Sequence, residues 1–276
     1  MTSFKSEDIQ SPTALDVARA IKVGFVNWRT LLGLTFVSRY VPWLKPTIRW
    51  QTRLGTTFFI PPGDRTWWSS LESFPFDCYR LGELAPKTAF TFLDIGANIG
   101  TFSLAVAERF EGARGIAAEP VPNTFSFLQR NLSQNGLQPT VVPIWGAVTS
   151  QGAFMDVFCD PRDSSRATLL KDENSKGRQR IKVPALRLND LARTFPDGLD
   201  FVKIDIEGGE YELLDDIRFM VESVRVARLV IEYHNVNGHG PSDLISTLDQ
   251  GPMSLVRDDR SSTPGVGLVF FDRTAP

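Results

Sequence analysis

Asp94, Gly96, Asn98, Gly100 and Glu119 have the types and spacing to hold a nucleotide cofactor. Phe90, Phe92, Leu93 and Ile95 form a short apolar run of the kind that makes a buried parallel strand, and Asp94-Ile-Gly-Ala-Asn-Ile-Gly100 ends it sharply. Gly96 and Gly100 remove side chains where backbone must bend and approach a ligand, and Ile99 to Phe110 reads as a helix opening at that ligand. Glu119 ends the next apolar run, where an acidic side chain accepts the ribose hydroxyls of an adenosine. The pattern is not the dinucleotide fingerprint, because Asn98 and Thr101 stand where its second and third glycines belong. Nor does a Gly-Lys-Ser/Thr follow to make a P-loop.

A second constellation lies downstream. Asp205 and Glu207 end the run Val202-Lys-Ile, and Glu232 and His234 end the strand after it, so all four fall on the carboxyl edge where open parallel sheets place ligands. Asp205, Glu207 and His234 are the candidate catalytic residues. An imidazole titrates near neutrality, which makes His234, or else Asp205, a base for a hydroxyl. Two other readings stay open: Glu207 as a cap for the helix that follows, and Asp205, Glu207 and Glu232 as oxygen ligands of a Mg²⁺. His239, between glycines, is expected to be exposed.

Asp94-Ile-Gly-Ala-Asn-Ile-Gly-Thr-Phe102, Ala118-Glu119-Pro120, Asn131-Leu-x-x-Asn135 and Val202-Lys-Ile-Asp-Ile-Glu-Gly-Gly-Glu210 together resemble the FkbM-type S-adenosylmethionine-dependent methyltransferases. The resemblance runs from about Phe90 to His234 and is most specific in Lys203 to Glu210. It implies a class I, Rossmann-like fold: a doubly wound, mostly parallel seven-stranded sheet, here with an N-terminal helical extension. It also implies S-adenosyl-L-methionine as cofactor, held by Asp94, Gly96, Asn98, Gly100 and Glu119. The implied reaction is O-methylation of a hydroxyl on a sugar, glycolipid or natural product. A non-catalytic adenosine-nucleotide-binding regulatory protein on the same fold is the alternative.

The elements that must position these residues follow from periodicity. From Phe90, strand and helix alternate: a strand Ala113–Ala118, a helix Asn123–Gln134, a strand Thr140–Val148, and later strands Leu199–Ile206 and Val226–Tyr233, which call for a parallel sheet with helices on both faces. Ala153–Cys159 and Ile181–Leu188 read as an inserted antiparallel pair. The charged run Asp160–Arg180 between them reads as an exposed loop, or as a lid carrying Ser164-Ser165-Arg166. Met253–Arg257 and Gly267–Asp272, with no helix between them, suit an antiparallel final pair. Domains are expected at 1–55, a basic and aromatic helical extension, and 56–276, the cofactor-binding domain. In the extension, Thr13-Ala-Leu-Asp16 starts an amphipathic helix whose apolar positions Leu15, Ala18, Ile21, Phe25, Trp28 and Leu32 run on past Phe25. That helix packs on the main domain or lies on a membrane surface.

Residues 1–50 carry a charge of +4 and the rest −6, a net −2. The acidic remainder disfavours nucleic acid, whose phosphates need a basic groove, and leaves a small-molecule, sugar or lipid-linked acceptor as the expected partner. Cys78 and Cys159 stand far apart, with no disulfide framework and no Cys-x-x-Cys metal site, and no apolar stretch approaches the ~20 residues of a membrane span. A cytoplasmic location is the expectation.

Overall fold

The computed structural model describes residues 7–8, 13–29, 47–61, 66–150, 152–160, 163–168, 178–261 and 263–274. Leu32, the last apolar position of the expected N-terminal helix, lies outside these residues.

In the N-terminal region β1 (Glu7–Asp8) is followed by a helix, Ala14–Gly24. Thr13 caps that helix with a full capping box, in which Asp16 N donates to Thr13 Oγ1 at 3.2 Å and Thr13 N to Asp16 Oδ2 at 3.0 Å. The helix does not continue through Phe25 as its periodicity suggested. It stops at Gly24, and Phe25 becomes extended and bridges to Thr52. The reason is tertiary: the fully buried Phe25 ring meets Trp50 edge-on at 4.6 Å and Phe58 at 6.1 Å, a geometry open to it only off the helix. The helix's buried residues are Ala20 and Ile21, while Leu15, expected on the apolar stripe, is 60% exposed. β2 (Ile48–Gln51) and β3 (Thr57–Ile60) then form an antiparallel hairpin, and the helix Trp67–Ser73 follows.

The main sheet takes β4 (Thr91–Ile95), β5 (Arg114–Glu119), β6 (Val141–Trp145), β11 (Leu199–Ile204), β12 (Val226–His234), β13 (Met253–Arg260) and β14 (Val266–Arg273). Its order is β6-β5-β4-β11-β12-β14-β13, with β1 added parallel at the β13 edge. β6 through β12 are parallel, and β14 inserts antiparallel between β12 and β13. This is the Rossmann-like class I methyltransferase sheet with one short strand appended. Both faces are covered, because alternate residues enter different cores: Phe92, Phe201, Val230 and Phe270 join the N-terminal aromatics, whereas Leu93, Val202, Ile231 and Phe271 join the opposite layer. The strand expected over Thr140–Val148 is split at Gly146, and its second part, β7 (Ala147–Val148), joins another sheet.

That sheet is the expected insertion, β8 (Phe154–Asp160) against β10 (Gln179–Leu186). Within the charged run, residues 163–168 form β9 (Asp163–Thr168) paired to β8, so Ser164-Ser165-Arg166 belong to a strand and not to a free loop or lid. Residues 161–162 and 169–177 lie outside the description. No helix of the described residues is long and apolar enough to cross a membrane.

The strand order reverses between β4 and β11, whose neighbours β5 and β12 lie on opposite sides. The crevice outside their carboxyl ends is where such sheets bind ligands, and both motifs end there.

Candidate functional site

β4 brings Asp94 to the crevice but beneath its surface. The carboxylate is fully buried, accepts from Ser103 Oγ at 2.7 Å and lies 3.4 Å from Lys203 Nζ. Lys203, on the adjacent β11, also donates to Gly96 O at 2.8 Å and sits 3.4 Å from Asp205 Oδ2. Burial works against its charge, but Asp205 and Asp94 hold the ammonium firmly protonated. One buried cation therefore ties the two motifs together. Gly96 is obligatory at that junction: its φ is +77°, and a Cβ there would stand 1.7 Å from Asp205 O.

Past Gly96 the backbone turns through Asn98, φ +53°, and Gly100, φ +88°, into the helix Thr101–Arg109, whose first turn has no side-chain cap. Asn98 Oδ1 accepts from Ile99 N at 2.8 Å, and Asn98 N donates to Glu119 Oε2 at 3.0 Å. The other Glu119 oxygen accepts from Val121 N at 2.9 Å. Burial raises Glu119 to about 7, against the pull of those two N–H donors. Asn131, on the helix Pro122–Gln134, and Asn135, its C-cap one turn later, grip the edge of β3. Asn131 takes Phe59 N and O at 2.8 and 3.1 Å, and Asn135 takes Thr57 N and O at 2.9 and 2.7 Å. Asn131 Nδ2 also donates to Ile99 O at 2.8 Å, coupling the N-terminal hairpin to the glycine loop.

On the β11 side, Asp205 is followed by Glu207 at φ +54° and Gly208 at φ +99°. Glu210 folds back under this turn, its Oε1 accepting from Ile206 N at 3.0 Å and Gly208 N at 3.3 Å. His234, ending β12, lies between two acids: Nδ1 is 3.3 Å from Glu210 Oε1 and Nε2 is 3.6 Å from Glu207 Oε2. Burial lowers its pKa, but Glu210 and Glu207 together push it up to about 10, so the ring is an imidazolium at neutral pH.

A cavity of about 1000 Å³ opens here, lined by Asn98, Asp205, Glu207, Glu232 and His234 with Trp67, Trp68 and Glu72. Of the residues singled out in the sequence, Asp205, Glu207 and His234 come together, with one donor atom of each within 4.8 Å of the others. Within this group Asp205 Oδ2 lies 3.4 Å from Lys203 Nζ and His234 Nδ1 lies 3.3 Å from Glu210 Oε1. Asp94, Gly96, Gly100 and Glu119 shape the loop behind Asn98. His239 lies apart and exposed, 3.2 Å from Asp243. Sequence reasoning missed three contributors. Lys203 had a signal, a lysine inside an apolar strand. Glu210 closed the most specific stretch of the resemblance, but only folding shows that it turns back under its own loop, and Glu72, on a helix before β4, had no signal.

A family model described as the methyltransferase FkbM domain matches residues 94–251. Among curated proteins, methyltransferase sdnD of Sordaria araneosa is 29% identical over 174 residues, covering 53% of this chain and 66% of that protein. Methyltransferase 1 of Beauveria bassiana (strain ARSEF 2860) is 24% identical over 161 residues, covering 52% and 64%. The matched part thus spans just under two thirds of either relative's length. Among solved structures, methyltransferase FkbM from Methylobacillus flagellatus KT aligns with a TM-score of 0.46 at 15% identity, covering 75% of this chain and 53% of that one. M. jannaschii TYW2 in complex with AdoMet aligns with a TM-score of 0.48 at 17% identity, covering 83% and 88%. With a match that takes in more than half of its residues, including both motifs that meet at Lys203, the chain belongs to the FkbM methyltransferase family.

Proposed function

We propose that the protein transfers a methyl group from S-adenosyl-L-methionine to a hydroxyl of a sugar, glycolipid or natural product. The observation that carries this reading is the pairing of Glu119 with Asn98: a buried acid at the end of β5 held against the glycine loop, whose Asn98 also lines the large acceptor-sized cavity. The residues fit the cofactor. Each Glu119 oxygen takes one backbone N–H and keeps a second acceptor position for a ribose hydroxyl, since an ionised carboxylate has about four. The uncapped helix start at Thr101 adds N–H donors beside it.

The bound cofactor supplies an electrophilic methyl on a sulfonium. The chain's share is to hold an acceptor hydroxyl in line and exclude water, which by itself removes much of the barrier. Asp205, on the cavity wall, takes the hydroxyl proton onto a carboxylate oxygen as the acceptor oxygen attacks. His234 carries a proton already and orients Glu207 from the other side, so its role is positioning.

Glu119→Ala is expected to weaken S-adenosylmethionine binding by roughly 1.5 to 3 kcal/mol, the worth of charge-assisted hydrogen bonds, as read by calorimetry. Asp205→Asn is expected to lower turnover by about 10² to 10⁴-fold with labelled cofactor and lipid, glycan and small-molecule extracts, while cofactor binding persists. Cofactor binding without label transfer to any fraction would favour the regulatory adenosine-binding alternative. Unchanged affinity in Glu119→Ala would remove the cofactor assignment itself.

A further inference from the structure

The N-terminal region presents an outward face that the domain core does not use. The helix Ala14–Gly24 buries Ala20 and Ile21, and its opposite stripe carries Leu15, Arg19, Lys22 and Val23, with Leu15 60% and Val23 66% exposed. Phe25 then bridges to Thr52, and Val26 N donates to Gln51 O at 3.0 Å, so the residues past the helix run antiparallel beside β2. Asn27 fixes that pairing with its side chain, donating to Arg49 O at 2.6 Å and accepting from Gln51 N at 3.3 Å. The pairing sets the helix end against the turn between β2 and β3, where Arg53 donates to the Lys22 and Val23 carbonyls. Val26, 52% exposed, and Leu54 in that turn, 79% exposed, complete the face.

The charge around these aliphatic side chains has one sign. From Val17 to Gly63 the chain has seven Lys/Arg and no Asp or Glu, and Arg19, Lys22, Arg29, Arg49 and Arg53 are all exposed. Among the described residues none of these five is ion-paired; Lys22 and Arg29 flank the Trp28 ring, 5.8 and 5.3 Å from its centre. Two acids reach the margin, and both are engaged: Asp16 in the capping box with Thr13, and Glu108 on the Thr52 hydroxyl. Cations on long stems around aliphatic tips, with a half-buried indole among them, suit a bilayer surface, where headgroups take the charges and the tips enter the acyl boundary. A nucleic acid would leave the aliphatic side chains in water, since its phosphates take polar contacts and single strands are held by stacking on aromatic rings. A second copy on this face would set the same cations against one another across a two-fold axis.

We propose that this face docks the protein on an anionic phospholipid surface: Arg19, Lys22, Arg29 and Arg49 meet the charged headgroups while Val23, Val26 and Leu54 enter between them. The docking does not rest on the methyl-transfer reading. The contact is peripheral and salt-sensitive. Each exposed cation multiplies the partition about fivefold, and the aliphatic tips supply the part that salt does not screen.

The test is sedimentation of the full chain with vesicles of phosphatidylcholine, either pure or with about a quarter phosphatidylserine, at about 0.1 M and about 0.5 M salt. Binding to the anionic vesicles is expected to exceed binding to the neutral ones by at least about tenfold at low salt, and to fall by about tenfold at high salt. Lys22→Gln combined with Arg29→Gln is expected to lose about twentyfold on anionic vesicles, and Val26→Ser combined with Leu54→Ser about tenfold, with thermal unfolding unchanged. Arg114→Gln combined with Arg225→Gln, which removes two exposed charges at the amino ends of β5 and β12, is expected to change nothing. Equal sedimentation with the two kinds of vesicle overturns the proposal, as does an equal loss in the two charge-removing pairs. Undiminished vesicle binding by the Val26 and Leu54 pair, or tighter binding of oligouridylate than of anionic vesicles, overturns it too, the latter assigning the face to nucleic acid. If a variant does not fold, the comparison of vesicles and salts on the unaltered protein decides alone.

Discussion

Glu119 shows how burial sets a residue up for its ligand. Its pKa, raised to about 7, means that near neutrality part of the free protein carries a proton there, while ribose hydroxyls bind the ionised form. Cofactor affinity should therefore rise with pH through 7 and level off above it, with a proton released on binding below the plateau. Calorimetry at pH 6 and pH 8 in buffers of different ionisation enthalpy checks this, and the rise should vanish in Glu119→Gln. His234 works in the opposite sense. Its pKa of about 10 exceeds the ordinary 6.5, so the stability it contributes through Glu210 and Glu207 is complete below pH 6.5 and is lost as pH rises through 10. The unfolding free energy of the native protein, read from urea unfolding, should fall between pH 7 and pH 10 more steeply than that of His234→Gln, by an amount on the order of a few kcal/mol.

At the scale of elements, the two motif loops pack backbone against backbone, and Gly96 is where they touch. Gly96→Ala adds both a left-handed strain and a collision 1.7 Å from Asp205 O. Gly136→Ala adds only the strain, since at φ +68° it has nothing within 4 Å. Urea unfolding should show a loss of about 1 to 2 kcal/mol at Gly136 and more than about 4 kcal/mol, or no folded protein, at Gly96. The alternation of strands and helices from Phe90 onward was legible because each strand is a short apolar run bounded by glycine or acid. The end of the first helix at Gly24 was not, since Phe25 continues the helical spacing and leaves it only to fill an aromatic pocket formed by residues far along the chain.

For the molecule as a whole, the N-terminal segment is built into the core of the domain. Phe25, Trp50 and Phe58 are buried in the same cluster as Phe92, Phe102 and Phe201, and β2 pairs with β3 across residues 48–60. Trp50→Ala should cost about 3 to 5 kcal/mol, the usual loss for a large buried aromatic. A chain beginning near Leu54 should lose its cooperative thermal transition. Cofactor binding by such a truncated chain with an unchanged unfolding midpoint would show that the segment is only appended.

The sequence by itself determined the parallel sheet, the cofactor loop and the location of the acidic edge, because local periodicity and glycine placement depend on neighbours a few residues away. It also placed Asp205, Glu207 and His234 on one edge, since consecutive parallel strands end on the same side. Only the tertiary structure decided their chemical states. The proton on His234 depends on Glu210 folding back beneath it, and the charge of Lys203 on Asp94 and Asp205, which different segments bring to it. Charge in a buried site is set by what lies within a few ångströms in space, and chain order does not encode that distance.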